Sequence, residues 1–584
     1  MEHNKRIEVS LLVFFCFAVA TILTMYFKPY MIDNDASQAT RTALHMNRGE
    51  GVSTSLLYYE EQQRNGIPAP QSIYPPGYPA VISVFLGLGV PVRSVAFASA
   101  LFFQILGFII FYLLLKHNKV TPLLTIFGLV IWIWSVPINV TVLRGISEST
   151  FVFFTFIAFL FYLRGLSKER LEGMYMLAAG GCAAAAFLIR YAGVSYIIAL
   201  SVYLGVLFIV YRNLVWLWKG CLFSILPSIS VALVFLRNFY LTGTLSGGPR
   251  VDYGSSVLEV IGKMLFSIKK LFGIQELYFL IKKTIGLYYL NIRNLLDVYG
   301  LYLIVKVILL AVLVVAGVWI TLRFVKSDMI REFKKKRYRI YNKPIQSLKR
   351  FDIPPIIHLI NTSMIYTFTT LAMLFYLGLG TGKNLVAPRY FAPLIPFLIL
   401  TVLSILSRAI AISNRNTVKT IYSCIIVIGI IFFAGQYEYG KWEAGLLNRI
   451  VGQKGIYYTL KKRGLKSGEN LLESIKRLTS DGSAIMEADG QFLGHLLNRP
   501  AVGMSYSDYT RRIWNELEVK ALIARYKVSY ILIFPQVFDY ETSKGRNKNR
   551  PFLIDLEKGN VPDWLEVTRE TETYKIFKID RVKL

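Results

Sequence analysis

The sequence is poor in charged residues. Only 17% of its 584 residues are Asp, Glu, Lys or Arg, whereas 54% are hydrophobic and 14% are aromatic. A soluble domain carries about a quarter charged residues, and a single hydrophobic core stops growing at roughly 250–300 residues. A soluble globular protein is therefore excluded.

Residues that ligate metals or form disulfides are also scarce. The four cysteines all lie inside apolar runs, which predicts packing residues and no disulfide framework. The five histidines are scattered. No metal-ligand spacing, Ser-His-Asp arrangement, phosphate-binding loop or dinucleotide fingerprint occurs, so an ATP-driven machine is disfavoured and neither a cofactor nor a metal is indicated. The cysteines are Cys16, Cys182, Cys221 and Cys424.

Long apolar runs recur along the chain. About 20 apolar residues are needed to cross the roughly 30 Å of hydrocarbon in a bilayer, and about eleven runs approach that length. We expect spans at about 9–27, 92–115, 120–138, 148–163, 171–189, 193–211, 218–236, 299–322, 355–378, 390–407 and 419–435. The first run has no small-residue cleavage site after it, which predicts an uncleaved anchor. The sequence thus predicts a polytopic, mainly α-helical membrane protein.

Basic residues predict the orientation of the chain, whose net charge is +30. The densest basic block occupies residues 326–352, between two predicted spans. The positive-inside rule places such a loop in the cytoplasm, where it is attracted to anionic headgroups. We therefore expect a multi-pass protein of the cytoplasmic (inner) membrane with a cytoplasmic N-terminus. Nucleic-acid binding is not expected.

Two long connections then fall on the extracytoplasmic side. Residues 28–91 contain an amphipathic stretch and the segment YPPGYPAVISVFLGLGV, which is too short to span and is expected at the interface. Residues 237–298 interleave aromatic and lysine residues, which indicates another helix in the headgroup plane or a re-entrant span. From residue 437 onward the patterns are those of short strands and amphipathic helices. We expect a membrane domain over 1–436 and a soluble extracytoplasmic α/β domain over 437–584.

Acidic residues at the predicted outer boundary are the first candidates for chemistry. Asp33 and Asp35 follow the first span, and Glu148 lies in TVLRGISESTF at the end of a later one. A carboxylate there can accept a proton from an attacking hydroxyl group. Either aspartate can instead cap the helix that follows. Glu148 can instead cap its own helix or pair with Arg144, four residues earlier.

Arginine and tyrosine residues gather at the same boundary. A planar guanidinium suits bidentate binding of phosphate, although a single arginine at a span end often only reaches out to the interface. Four of them on one side favour an anion site. The arginines are Arg190, Arg237, Arg250 and Arg389, and Tyr191 and Tyr390 directly follow two of them.

The order of these segments resembles the GT-C superfamily of polytopic glycosyltransferases, and within it the bacterial family 39 proteins. That family includes protein mannosyltransferases and the aminoarabinose transferase of lipid A. The similar segments are DASQATRTALHMNRGEG, YPPGYPAVISVFLGLG, LRGISEST, IRYAGVSY and APRYFAPLIP. The resemblance implies an inverting transferase that moves a sugar from a polyprenyl-phosphate donor to a lipid, glycan or protein acceptor outside the cytoplasmic membrane.

The resemblance also implies roles for the candidate residues. Asp35 becomes the catalytic carboxylate, and Asp33 stays a candidate because the chain has Asp-Asn-Asp where protein mannosyltransferases have an Asp-Glu pair. Glu148 becomes a second acid that faces the cavity. The donor phosphate is expected to meet Arg190, Arg237, Arg389 and Arg250, and the substrate cavity to be lined by Tyr74, Tyr78, Tyr191 and Tyr390.

Other functions stay open at this stage. A transporter or flippase of lipid-linked sugars needs a similar cationic cavity, but it predicts repeat symmetry and charges deep within spans, and the sequence shows neither. A ligase-type enzyme with a polyprenyl-diphosphate glycan donor would use the same boundary residues. A non-enzymatic assembly protein of the envelope would not need the acidic residues at all.

Overall fold

The structure is a computed structural model. It describes residues 34–58, 66–167, 171–245, 247, 256–271, 355–381, 388–412, 468–479, 483–487, 490–504, 513–534, 550–571 and 574–584, with separate positions between 418 and 436. The spans predicted at 9–27 and 299–322, the basic block at 326–352, Asp33 and Arg250 lie outside the described residues, as does most of the span predicted at 419–435.

Helices dominate the described residues before 413. In order they are α1 (Asn34–Asn47), α2 (Gly77–Gly87), α3 (Val95–His117), α4 (Pro122–Trp134), α5 (Val136–Leu143), α6 (Glu148–Leu166), α7 (Glu172–Ile189), α8 (Gly193–Tyr211), α9 (Leu214–Thr242), α10 (Val257–Leu271), α11 (Pro355–Thr381), α12 (Pro388–Phe391) and α13 (Leu394–Ile412). Six described helices, α3, α6, α7, α8, α9 and α11, are long and apolar enough to cross a membrane. A polytopic, mainly α-helical fold is therefore confirmed.

The span predicted at 120–138 is divided into α4 and α5. The two helices meet at Ser135 and are bent by 50°. Pro137 has no N–H to donate to the carbonyl of Ile133 one turn earlier, so a straight helix cannot continue. The side-chain amide of Asn139 donates to that carbonyl instead, at 2.8 Å. The break thus keeps a buried backbone acceptor satisfied.

Aromatic rings fill the centre of the helix bundle. Trp132 of α4 packs edge-on against Phe111 of α3 with ring centroids 4.8 Å apart. Phe397 of α13 lies 4.8 Å from Phe156 of α6 and 4.7 Å from Tyr366 of α11. Between helices in lipid such close packing supplies the attraction, because hydrocarbon tails are as apolar as the side chains.

Short helices gather at one end of the bundle, which we call the site end. Here α1 packs on α2, and the Tyr78 hydroxyl of α2 reaches the carbonyl of Ala96 at the start of α3. Helix α2 has 11 residues and measures about 16 Å. That is too short to cross a bilayer, as the sequence predicts. The amphipathic α10, at the start of the stretch predicted as a headgroup-plane helix, packs against α12 and α11.

The C-terminal region forms a six-stranded sheet flanked by helices. Its strands are β2 (Leu56–Tyr58), β4 (Ala484–Glu487), β5 (Ala501–Gly503), β6 (Val528–Ile533), β7 (Leu565–Glu570) and β8 (Lys575–Ile579); β1 (Ser53–Thr54) and β3 (Ala69–Pro70) pair with each other. The described helices of this region are α14 (Gly468–Leu478), α15 (Gly490–Leu497), α16 (Glu516–Tyr526) and α17 (Pro551–Glu557). The predicted α/β character is confirmed.

Successive side chains of the central strand β6 point to opposite faces of the sheet, and helices cover both faces. In β6, Ile531 and Ile533 pack against α16 and α17, whereas Tyr530 and Leu532 face α14 and α15. The strand order is β2-β5-β4-β6-β8-β7, parallel from β2 to β6 and antiparallel beyond. The edge strand β2 comes from the connection at residues 28–91, so two distant parts of the chain build this sheet.

Candidate active site

Asp35 lies at the start of α1, at the site end. The helix begins at Asn34, so Asp35 occupies its first turn, where the helix dipole favours a negative charge. Its Oδ1 accepts a hydrogen bond from the Tyr74 hydroxyl at 2.8 Å, and its Oδ2 lies 3.2 Å from Nη1 of Arg389. The side chain is 30% exposed. The carboxylate is therefore oriented by Tyr74 and Arg389 and is still partly accessible to solvent.

Arg389 projects from the short helix α12. Its Nη2 donates to the Tyr390 hydroxyl at 2.9 Å, and its guanidinium carbon lies 4.9 Å from the centre of the Tyr390 ring. Its side chain is 35% exposed. One edge of this guanidinium thus holds Asp35, and the exposed remainder can meet an anion.

Glu148 and Arg190 form a second ion pair nearby. Glu148 begins α6, and its side chain is only 4% exposed; its Oε1 lies 2.6 Å from Nη1 of Arg190 at the end of α7. Arg190 also donates to the Ser147 hydroxyl at 3.1 Å. A helical i,i+4 pair of Glu148 with Arg144 is not formed, because the chain leaves the helix between them at Gly145, whose φ is +62°.

The ring of Tyr390 joins the two ion pairs. The guanidinium carbon of Arg190 lies 5.9 Å from the centre of this ring, which Arg389 also contacts. A cation over an aromatic face gains about 0.5–2 kcal/mol, depending on how dry the contact is. Four residues that the sequence singles out separately are therefore contiguous: Asp35, Arg389, Arg190 and Glu148.

Tyr191 belongs to a network that holds the loop before Tyr74. Its hydroxyl donates to the carbonyl of Ser72 at 3.3 Å and accepts from the side-chain amide of Asn238 at 2.9 Å. The Ser72 hydroxyl donates to the carbonyl of Gly247 at 2.6 Å. Gly247 has φ +82°, and any Cβ there would collide with the Ser72 carbonyl oxygen. This network fixes the segment that delivers Tyr74 to Asp35.

Two further predicted site residues are engaged with backbone. Arg237 donates through Nη2 to the carbonyls of Gln71 and Val52, at 2.9 and 3.3 Å. Tyr78 is buried, and its hydroxyl donates to the carbonyl of Gly145 at 2.6 Å. Both side chains therefore stabilise the loops around the site and belong to neither of the two ion pairs.

Sequence reasoning missed Ser147 and Asn238, which hold Arg190 and Tyr191. Both directly neighbour residues that it did single out, Glu148 and Arg237, and this adjacency was the available signal. In the described part of the chain, no group of three or more His, Cys, Asp and Glu residues is arranged to hold a metal ion.

The architecture is similar to that of solved structures, although no sequence relative is found. No protein-family model and no curated protein sequence matches the chain. Two crystal structures of ArnT from Cupriavidus metallidurans are similar in fold. The structure in the apo state gives a TM-score of 0.53 at 11% identity and covers 98% of both chains. The structure bound to undecaprenyl phosphate gives 0.50 at 12% identity and covers 97% of both chains.

A more distant likeness is to the archaeal oligosaccharyltransferase AglB from Archaeoglobus fulgidus, in complex with an inhibitory peptide and a dolichol-phosphate. Its TM-score is 0.44 at 12% identity, over 91% of this chain and 70% of that one. The fold assignment depends on ArnT alone, because both ArnT structures match over 97–98% of each chain. The chain has the fold of ArnT.

Proposed function

We propose that this protein is a glycosyltransferase that moves a sugar from a polyprenyl-phosphate donor to an acceptor at the outer face of the cytoplasmic membrane. The observation that supports this most is the contact between the carboxylate of Asp35 and the guanidinium of Arg389 at the site end, each about one-third exposed. Such a transfer needs a general base next to a site that binds the phosphate. Asp35 and Arg389 can fill these two roles.

The proposed reaction is a single displacement. Asp35 accepts the proton of the acceptor hydroxyl while the acceptor oxygen bonds to the anomeric carbon of the sugar. The bond between that carbon and the phosphate oxygen breaks, and polyprenyl phosphate leaves with the electron pair. Attack opposite the leaving group inverts the anomeric centre. The resemblance of the fold to ArnT, which has been crystallised with undecaprenyl phosphate, supports this class of carrier lipid.

Arg389 has two tasks in this proposal. Its contact with Oδ2 of Asp35 holds the carboxylate in place for proton transfer. Its exposed edge neutralises the negative charge that grows on the departing phosphate. The ring of Tyr390 and the hydrogen bond to the Tyr390 hydroxyl hold the guanidinium in a fixed plane for this purpose.

Glu148 is proposed to position Arg190 and not to act as a second base. It is nearly inaccessible, and its Oε1 is committed to Arg190 at 2.6 Å. The guanidinium of Arg190 in turn contacts the Tyr390 ring, which Arg389 also contacts. The second ion pair thus stabilises the anion site through Tyr390.

The proposed orientation puts the N-terminus in the cytoplasm and the α/β domain of residues 437–584 outside. The basic residues at the connections opposite the site end support it, as does the need of a polyprenyl-linked sugar to meet its acceptor outside the cytoplasm.

The test uses the purified full-length protein in detergent. It is supplied with undecaprenyl phosphate carrying one of a panel of labelled sugars, and with envelope lipids and glycans as acceptors. We expect transfer that Asp35→Asn reduces about 100-fold or more, because general-base catalysis contributes roughly 10²–10⁴-fold. Asp33→Asn is the matched control and is expected to retain activity.

Three outcomes contradict the proposal. Full activity of both variants removes the aspartates from the chemistry. Transfer only from polyprenyl-diphosphate glycans would identify a ligase-type enzyme. Movement of the labelled lipid across proteoliposomes, without transfer to any acceptor, would identify a flippase.

A further inference from the structure

Arg41 is a buried arginine on the helix that carries Asp35, and the proposed chemistry does not use it. It is 5% exposed and lies six residues after Asp35 in α1. Its Nη1 donates to the side-chain oxygen of Asn498 at 2.6 Å, and its Nη2 donates to the carbonyls of Gly494 and His495 at 3.1 and 3.2 Å. All three acceptors belong to the C-terminal domain.

These acceptors are the C-terminal end of helix α15. The helix closes with Asn498 in the left-handed conformation (φ +58°) and with the amide of Arg499 bonded to the carbonyl of Gly494. The last carbonyls of a helix carry partial negative charge and favour a cation. The guanidinium of Arg41 is that cation. Burial lowers the pKa of Arg41 to about 10, so the side chain is still charged at neutral pH.

Strand β2, downstream of α1, is held by the same part of the C-terminal region. Leu56 of β2 pairs with Ala501 of β5, and a Cβ at Gly494 of α15 would lie 2.7 Å from the Leu56 side chain. The C-terminal domain thus contacts both α1 and β2. At its other end, α1 is held through the contacts of Asp35 and through its packing on α2 and α3.

We infer that Arg41 is a positioning residue for the transfer reaction, through which the C-terminal domain sets the place of the α1 helix and its Asp35 carboxylate. The inference rests on the proposed function for its catalytic part. Its structural part, the attachment of α1 to α15 through one guanidinium, stands without any substrate.

The first measurement is therefore hydrogen exchange on the full-length protein in detergent, without substrate. We expect Arg41→Ala to increase exchange in peptides from α1 (Asn34–Asn47) and α15 (Gly490–Leu497), and to leave α16 (Glu516–Tyr526) unchanged. The matched control is Arg581→Ala, which removes an arginine bonded to the carbonyl of Lys527 at the end of α16. It is expected to leave α1 protected.

The second measurement is the kinetics of transfer with the labelled undecaprenyl-phosphate sugar. We expect Arg41→Ala to lower kcat about 100-fold with the donor KM changed less than about threefold, because a misplaced catalytic group costs rate and not donor binding. Arg41→Lys keeps the charge and is expected to recover about tenfold of the loss. A loss of global stability alone would reduce the fraction of active enzyme. The kcat per folded molecule would then equal that of the Arg581→Ala control.

Asn498→Gly is a second variant, which tests the same contact if Arg41→Ala does not fold. Glycine accepts the left-handed conformation of Asn498 and removes only the side-chain acceptor. We expect it to lower kcat about tenfold. Unchanged exchange of α1 in Arg41→Ala or, should that variant not fold, in Asn498→Gly would overturn the inference, whether or not the wild-type protein transfers sugar. Altered exchange with unchanged kcat would overturn the catalytic part, and absence of transfer in the wild type would count against the proposed function alone.

Discussion

At the scale of single residues, Tyr390 lies between two ion pairs of different exposure. The pair of Asp35 and Arg389 is about one-third exposed, so each partner can exchange its contact for substrate. The pair of Glu148 and Arg190 is nearly dry. A buried ion pair tolerates the loss of both partners better than the loss of one, because a single remaining charge lacks compensation. The two pairs should therefore respond differently to substitution.

Glu148→Gln is expected to destabilise the protein by about 3 kcal/mol, because it leaves Arg190 charged and partly buried without its carboxylate. The double variant Glu148→Gln/Arg190→Gln should recover stability to within about 1 kcal/mol of wild type, and yet transfer poorly because Tyr390 has lost a cation. Unfolding of the purified proteins in detergent measures the first effect and the transfer assay the second. A double variant no more stable than the single one would refute this account.

The candidate site residues can be named from their place in the sequence, but their pairing cannot. Asp35, Glu148, Arg190 and Arg389 all stand where an apolar run meets a polar connection, and a charge near hydrocarbon is expensive unless it has a partner. Which acid meets which arginine depends on how the helices pack. Arg389 is hundreds of residues from Asp35 in the chain, and no local pattern relates them.

At the scale of helices and turns, the sequence predicts where apolar segments lie better than how they are divided. The segment predicted as a span at 120–138 is bent near Ser135, which hydropathy does not register because it averages over Pro137 and its missing N–H. The consequence reaches the site, since α5 leads into the turn at Gly145 that precedes Glu148. That turn brings α2, α3 and α6 together.

Gly145→Ala tests this turn. The residue has φ +62°, and a Cβ would lie 2.9 Å from the carbonyl carbon of Ala96. We expect a loss of about 2 kcal/mol or more in the free energy of unfolding, and reduced transfer because Tyr78 and Glu148 both depend on the turn. The control is Gly205→Ala in α8, where nothing lies within 4 Å of the added atom. Equal stability of the two variants, measured by thermal unfolding in detergent, would contradict the role of the turn.

At the scale of the whole molecule, charge asymmetry predicts which end faces the cytoplasm. Positive residues in the sequence gather at connections opposite the site end, and the membrane potential and insertion machinery hold such segments inside. The sequence also predicts α/β character for the C-terminal region, which the six-stranded sheet confirms. It could not predict that β2 joins this sheet, because three residues carry too little pattern and their partner is distant.

Cysteine labelling tests the orientation. In a background without native cysteines, Glu566→Cys on the exposed face of β7 is expected to react with a membrane-impermeant maleimide added to intact spheroplasts. Arg212→Cys, at the exposed turn between α8 and α9 at the opposite end, is expected to react only after lysis. The reverse pattern would invert the topology and move the proposed chemistry to the cytoplasmic face.

The pairing of β2 with β5 has a consequence for biogenesis. Ala501 leaves the ribosome about 445 residues after Leu56, so at about 5–20 residues per second β2 waits roughly 20–90 s for its partner. During that time its backbone N–H and C=O groups are open to pairing with neighbouring nascent chains. Three residues are too few to template an intermolecular sheet, so the brevity of β2 protects the translating chain until β5 pairs with it.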